Sequence, residues 1–140
     1  MSYLFIAIVW MNHHHLLRFA DECTPRLIWI NFTHLFSVSL VPFATAWVAR
    51  THLAPVPVFL YAAVFVLVEV TYLQFERHVL APLTGEMLSY KARRIAKIRS
   101  FFAIGTFLTT MLISFKLPHW GFSLVCCAVL LYLQPQPLGS

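Results

Sequence analysis

Charge is scarce in this chain. Of 140 residues five are acidic and ten basic, 11% in all, while 60% are hydrophobic and the mean hydropathy is +0.77. A soluble domain of this length cannot bury so much apolar surface, so the sequence reads as an integral membrane protein. Glycine is also rare, with four residues, and the apolar runs are continuous rather than alternating. Both features exclude a β-barrel and leave helices. The three cysteines, Cys23, Cys126 and Cys127, are an odd number without metal spacing or a disulfide framework. They read as small buried hydrophobes. No nucleophile–base pair, glycine-rich phosphate loop or Cys-x-x-Cys motif occurs, so nothing points to an enzyme or to a bound cofactor.

Five apolar segments are present, at residues 2–17, 27–49, 55–75, 98–117 and 119–134. The fold class they predict is all-α: one polytopic domain of five transmembrane helices over residues 1–134, with a disordered polar tail at 135–140. The second, third and fourth segments have the roughly 20 residues a spanning helix needs, and the first and last are shorter. Pro25, Pro55 and Pro57 stand at helix starts, where a missing N–H costs nothing. Pro118 makes the last two segments antiparallel neighbours. Pro42 lies inside the second segment and should kink it.

The net charge of +5 is distributed as a topology signal rather than a nucleic-acid surface. Arg18 and Arg26 flank the first connection. Arg77, Lys91, Arg93, Arg94, Lys97 and Arg99 crowd the third. Only Arg50 and Lys116 fall on the other side. The first and third connections are therefore expected in the cytoplasm, with the N-terminus of this chain outside and the C-terminus inside. The N-terminal run has no basic region and no small-residue cleavage site, so it does not read as a signal peptide. An outside N-terminus and a short first segment together predict a further helix ahead of residue 1. Residues 86–99 mix Met87, Leu88, Ile95 and Ile98 with basic residues. They read either as a short amphipathic helix on the cytoplasmic leaflet or as a solvated basic loop.

The candidate functional residues gather at Trp10-Met11-Asn12-His13-His14-His15, where the first apolar run meets its first charge. Trp10, His13, His14 and Leu17 share one helical face, and His15 does not. In the next segment Asn31, His34 and Ser37 form a stripe at matching depth. A polar group in hydrocarbon seeks a partner, and the favoured arrangement is a structural hydrogen-bond network joining Trp10, Asn12, His13 and His14 to Asn31 and His34. A metal site is the lesser alternative, because adjacent histidines diverge by about 100° and no Cys or carboxylate stands at ligand spacing. Histidines that merely reach the interface are the third. Glu69 lies deep in the third segment with Tyr72 and Glu76 on its face. An acid there costs about 2.5–3.5 kcal/mol on insertion scales, so it marks either a cation or proton path or a hydrogen-bonded packing residue.

Trp10-Met11-Asn12-His13-His14-His15-Leu16-Leu17-Arg18, then Arg26-Leu27-Ile28-Trp29-Ile30-Asn31, then Ser39-Leu40-Val41-Pro42-Phe43-Ala44-Thr45-Ala46, resemble the bacterial branch of the transmembrane protein 175 family. Its members are relatives of the endosomal/lysosomal potassium channel. The match covers about residues 1–50 by motif and the rest by hydropathy and loop charge. The resemblance implies potassium leak conduction, with potassium as permeant rather than cofactor. It implies six helices per repeat, homotetrameric assembly and a place in the bacterial inner membrane. This chain would then supply helices 2–6, without the family's first helix and its Phe-Ser-Asp motif. It assigns Trp10, Asn12, His13 to His15 and Asn31 to supporting roles around the pore. A non-conducting membrane assembly subunit, or a His-dependent metal transporter or sensor, are the alternatives in other classes.

Overall fold

The computed structural model describes residues 2–20, 22, 24–81 and 90–132. Five helices follow one another in the order α1 (Ser2–Leu17), α2 (Pro25–Arg50), α3 (Pro55–Leu80), α4 (Tyr90–Ile113) and α5 (Pro118–Tyr132). No strand occurs among the described residues. The expected tail at 135–140, the last residues of the fifth segment and residues 86–89 of the basic connection lie outside the described residues.

Each start has a local cause. Thr24 caps α2, its Oγ1 accepting the Leu27 N–H at 3.2 Å, and Pro25 takes the first helical position. Such a cap is worth about 1 kcal/mol. Pro55 opens α3 and Pro118 opens α5 in the same way, each where no intrahelical donor is needed. The α2–α3 turn is tight. The Leu53 N–H reaches back to the Val48 carbonyl at 3.3 Å, with His52 and Leu53 both left-handed at φ 48° and 62°. Pro42 is accommodated within a continuous α2.

Three boundaries differ from the apolar segments by four residues or more. α3 runs to Leu80 instead of 75, because Glu76, Val79 and Leu80 are buried against neighbours and keep the last turns helical. α4 begins at Tyr90 instead of 98, since Lys, Ala and Arg are good helix formers. The basic run from 90 on is thus the first part of α4 itself. α4 also ends early, at Ile113, where Lys116 and Leu117 donate to the Ile113 carbonyl and turn the chain toward Pro118.

α3 is the central helix, in contact with each of the other four. Phe65 meets Phe5, Tyr61 and Phe107 at its middle, in a core completed by Val41, Val58 and Val125. A second cluster, Leu16, Leu27, Ile30, Tyr72, Phe75, Val79 and Leu80, closes the end where α1 meets α2. α2 shows the pattern of a membrane helix. Its inward stripe, Leu27, Ile30, His34, Ser37, Val41 and Val48, includes two polar residues. Its outward side carries Trp29, Phe32, Phe36, Phe43 and Trp47. At 1.5 Å per residue the 26 residues of α2, and likewise of α3, reach about 39 Å, more than the roughly 30 Å hydrocarbon core. These two helices are long and apolar enough to cross a membrane; the apolar parts of α4 and α5, Ser100–Ile113 and Pro118–Val129, are shorter.

Candidate functional site

Three helices converge on one cluster of polar and aromatic side chains. α1 contributes Asn12 and His13, α2 contributes Asn31 and His34, and α3 contributes Thr71, Tyr72 and Phe75. All are buried except Asn31, which is half-buried. The cluster lies in the half of the bundle that holds the α1–α2 connection.

His13 links α1 to both other helices. Its Nε2–H donates to Asn31 Oδ1 at 2.6 Å. Its ring stacks on Phe75, with centroids 4.9 Å apart, and on His34 at 5.6 Å. His34 is fully buried and bonds to α3 through Thr71, with Nδ1 and Oγ1 3.1 Å apart. The direction of that bond follows from counting protons. The single Thr71 hydroxyl proton is directed at the carbonyls of Leu67 and Val68, at 2.9 and 3.0 Å. Thr71 therefore accepts, and His34 donates from Nδ1–H. In neutral His34 this leaves Nε2 as the acceptor nitrogen. The Phe75 ring lies nearly parallel to His34, 6.3 Å away, and the Tyr72 ring lies 5.6 Å away at a tilt.

Asn12, His13, Asn31 and His34 are brought together. Trp10 and His14 are not part of the buried group. They face outward, and their rings stack on each other with centroids 5.3 Å apart and planes 8° apart. His15 lies edge-on to Phe19. Helix phase explains the division. Phe5, Val9, Asn12 and Leu16 define the inward side of α1, and Trp10 lies opposite to it.

Glu69 is 1% exposed, one turn beyond Phe65 on the same side of α3. The ring contacts Phe59–Phe115 and Phe65–Phe107 fix α3 and α4 as antiparallel neighbours. They set Glu69 level with the Ala103–Gly105 turn of α4. Glu76, two turns further along, is buried as well. Thr71 faces α2 through its bond to His34. Among the described residues no three His, Cys, Asp or Glu side chains are grouped to hold a metal.

Thr71 and Phe75 were not legible as members of the cluster. They stand one helical turn apart on α3, but nothing in their spacing says that α1 and α2 meet there.

Residues 1–42 match the family described as endosomal/lysosomal potassium channel TMEM175. A protein of Chryseobacterium sp. (strain P1-3), named Potassium channel HX13_20290, is 28% identical over 135 residues, which span 96% of this chain and 70% of that relative. No solved structure matches. The motif-bearing residues 1–42 include His13, Asn31 and His34, the polar core of the cluster, and the similarity to the relative continues through the helices that enclose it. The chain is thus similar to the endosomal/lysosomal potassium channel TMEM175 family over residues 1–42, and to a bacterial protein named as a potassium channel along nearly its whole length.

Proposed function

We propose that this chain is a potassium-permeable, leak-type channel subunit that assembles as a homotetramer in a bacterial inner membrane. The observation that carries this is the similarity, along nearly the whole chain, to a relative named as a potassium channel. All five helices cross the bilayer in this proposal, with α1, α4 and α5 accommodated by local thinning of the membrane. The two tight turns support antiparallel neighbours, α2 with α3 and α4 with α5. The distribution of Lys and Arg supports cytoplasmic α1–α2 and α3–α4 connections, an outside start for this chain and a cytoplasmic C-terminus.

Within that frame Trp10, Asn12, His13, His14, Asn31 and His34 form a structural brace. The His13–Asn31 and His34–Thr71 bonds tie α1, α2 and α3 together, and the Trp10–His14 stack stiffens the outward side of α1. These side chains hold the helices that border the conduction path rather than lining it. Glu69 is the residue proposed for the path itself. A carboxylate deep inside an apolar span is retained where a cation or a proton uses it.

The test is potassium flux into liposomes carrying the purified chain, beside empty liposomes of the same lipid. Flux above the empty control, greater for potassium than for sodium, is expected. Flux equal to the control, from protein shown to be folded and inserted, would overturn the proposal.

A further inference from the structure

At the end of the bundle remote from the histidine cluster, the α2–α3 and α4–α5 turns border an open cavity of about 440 Å³. Val48, Leu53 and Phe122 form its apolar wall. Thr45, His52 and His119 supply its polar groups. His52 and His119 come from different turns and are both exposed. The backbone explains how a polar and an apolar residue come to stand side by side at this rim. Two successive residues without the freedom of glycine, His52 and Leu53, take left-handed conformations, closed by the Leu53 N–H on the Val48 carbonyl. Leu53 thereby folds back onto the wall, and His52 is left beside it at the edge.

The surrounding charge has one sign. The five acidic residues of the chain are Asp21, Glu22, Glu69, Glu76 and Glu86, and none belongs to either turn. The formal charges in these turns are Arg50, two residues before His52, and Lys116, three residues before His119; both are exposed. An imidazole donates an N–H to a phosphate oxygen whether neutral or protonated, and Arg and Lys add attraction for the anion. The same arrangement disfavours a divalent cation, which would meet two cationic side chains and no carboxylate.

We infer that this cavity is a binding site for an anionic phospholipid, with its phosphate at His52 and His119 and the start of an acyl chain against Val48, Leu53 and Phe122. An apolar wall beneath a cationic rim, at the level where membrane helices turn, matches the two halves of such a lipid. The site is separate from the histidine cluster and does not depend on ion conduction.

The experiment measures the melting temperature of the purified chain in neutral detergent during titration with short-chain phosphatidylglycerol, phosphatidylcholine or inorganic phosphate. Phosphatidylglycerol is expected to give a saturable rise of several degrees, and phosphatidylcholine or phosphate little. His52→Ala/His119→Ala should weaken the phosphatidylglycerol midpoint at least tenfold, whereas Arg94→Ala, at the basic end of α4, should leave it unchanged. An equal rise with phosphatidylcholine would overturn the site. So would an equal rise with inorganic phosphate, which would assign it to a free anion. A phosphatidylglycerol effect that survives the double histidine variant, or is lost in Arg94→Ala, would place the lipid elsewhere and also overturn it. A second readout leaves both histidines intact. Trp120, next to His119 and 69% exposed, should be quenched by phosphatidylglycerol with brominated tails more than by the phosphatidylcholine equivalent. That excess should disappear in Trp120→Phe, and its persistence there would refute the assignment.

Discussion

The His13–Asn31 bond can be measured by removing each end separately and then both. Asn31→Leu leaves the buried Nε2–H of His13 without its acceptor. His13→Phe keeps an aromatic ring against Phe75 and His34 but removes the donor. Hydrogen bonds between membrane helices average about 0.6 kcal/mol and reach about 1.7, and stranding a buried donor costs about 1–3 kcal/mol. Asn31→Leu alone should therefore destabilise by about 1–3 kcal/mol. At about 2–4 °C per kcal/mol, the scale for chains somewhat longer than this one, the melting temperature should fall by roughly 2–12 °C. In the double variant no donor is left stranded, so its loss should be smaller than the sum of the single losses by about 0.6–1.7 kcal/mol. The assay is thermal unfolding in detergent, followed by circular dichroism on all four proteins. Losses that add to within about 0.3 kcal/mol would show that His13 and Asn31 are not coupled, and the brace between α1 and α2 would have to be abandoned.

Other perturbations test neighbouring parts. Thr71→Val removes the acceptor for the His34 Nδ1–H and should cost about 1–3 kcal/mol, while Thr71→Ser should recover most of it; equal melting temperatures for Val and Ser would refute the assigned bond. Glu69→Gln should change potassium flux or its dependence on pH, and identical flux across pH 5 to 8 would return Glu69 to packing. A Cβ on Gly121 would stand 3.3 Å from Thr110 Cγ2 and 3.6 Å from its carbonyl oxygen. Gly121→Val should therefore force α4 and α5 apart at a cost of about 1–3 kcal/mol, visible as a lower melting temperature. At Gly105 nothing lies within 4 Å of the added atom, so Gly105→Ala should be tolerated, and a loss as large as that at Gly121 would contradict the packing.

The helical character and the five apolar segments were open to reading because hydrocarbon demands long runs of one kind of side chain. Proline marked three helix starts for an equally local reason. The ends were harder to read. Glu76, Arg77 and His78 look like a stop by composition, yet α3 continues because its next turns pack on α1 and α2. Spacing also placed Trp10, His13 and His14 on one side of α1 without saying which way that side turns. The true inward direction runs through Phe5, Val9, Asn12 and Leu16, so His13 falls just inside the border and Trp10 and His14 outside it. Thr71 was invisible as a partner of His34 because the pair is 37 residues apart and their meeting depends on the register between α2 and α3.

The outward tryptophans of α2 act as a built-in ruler. Trp29 and Trp47, both exposed, are 18 residues apart in one helix, about 27 Å along its axis. That is close to the thickness of the hydrocarbon layer, and indole rings prefer its two edges. A helix anchored at both edges has little freedom to slide. Its vertical position is then set by its own surface, and everything attached to it inherits that depth. With α2 placed in the bilayer as proposed, His34, five residues in from Trp29, would lie about 7–8 Å below the nearer edge. A membrane much thicker or thinner than this interval would have to bend to the helix, or pull the histidine cluster along with it.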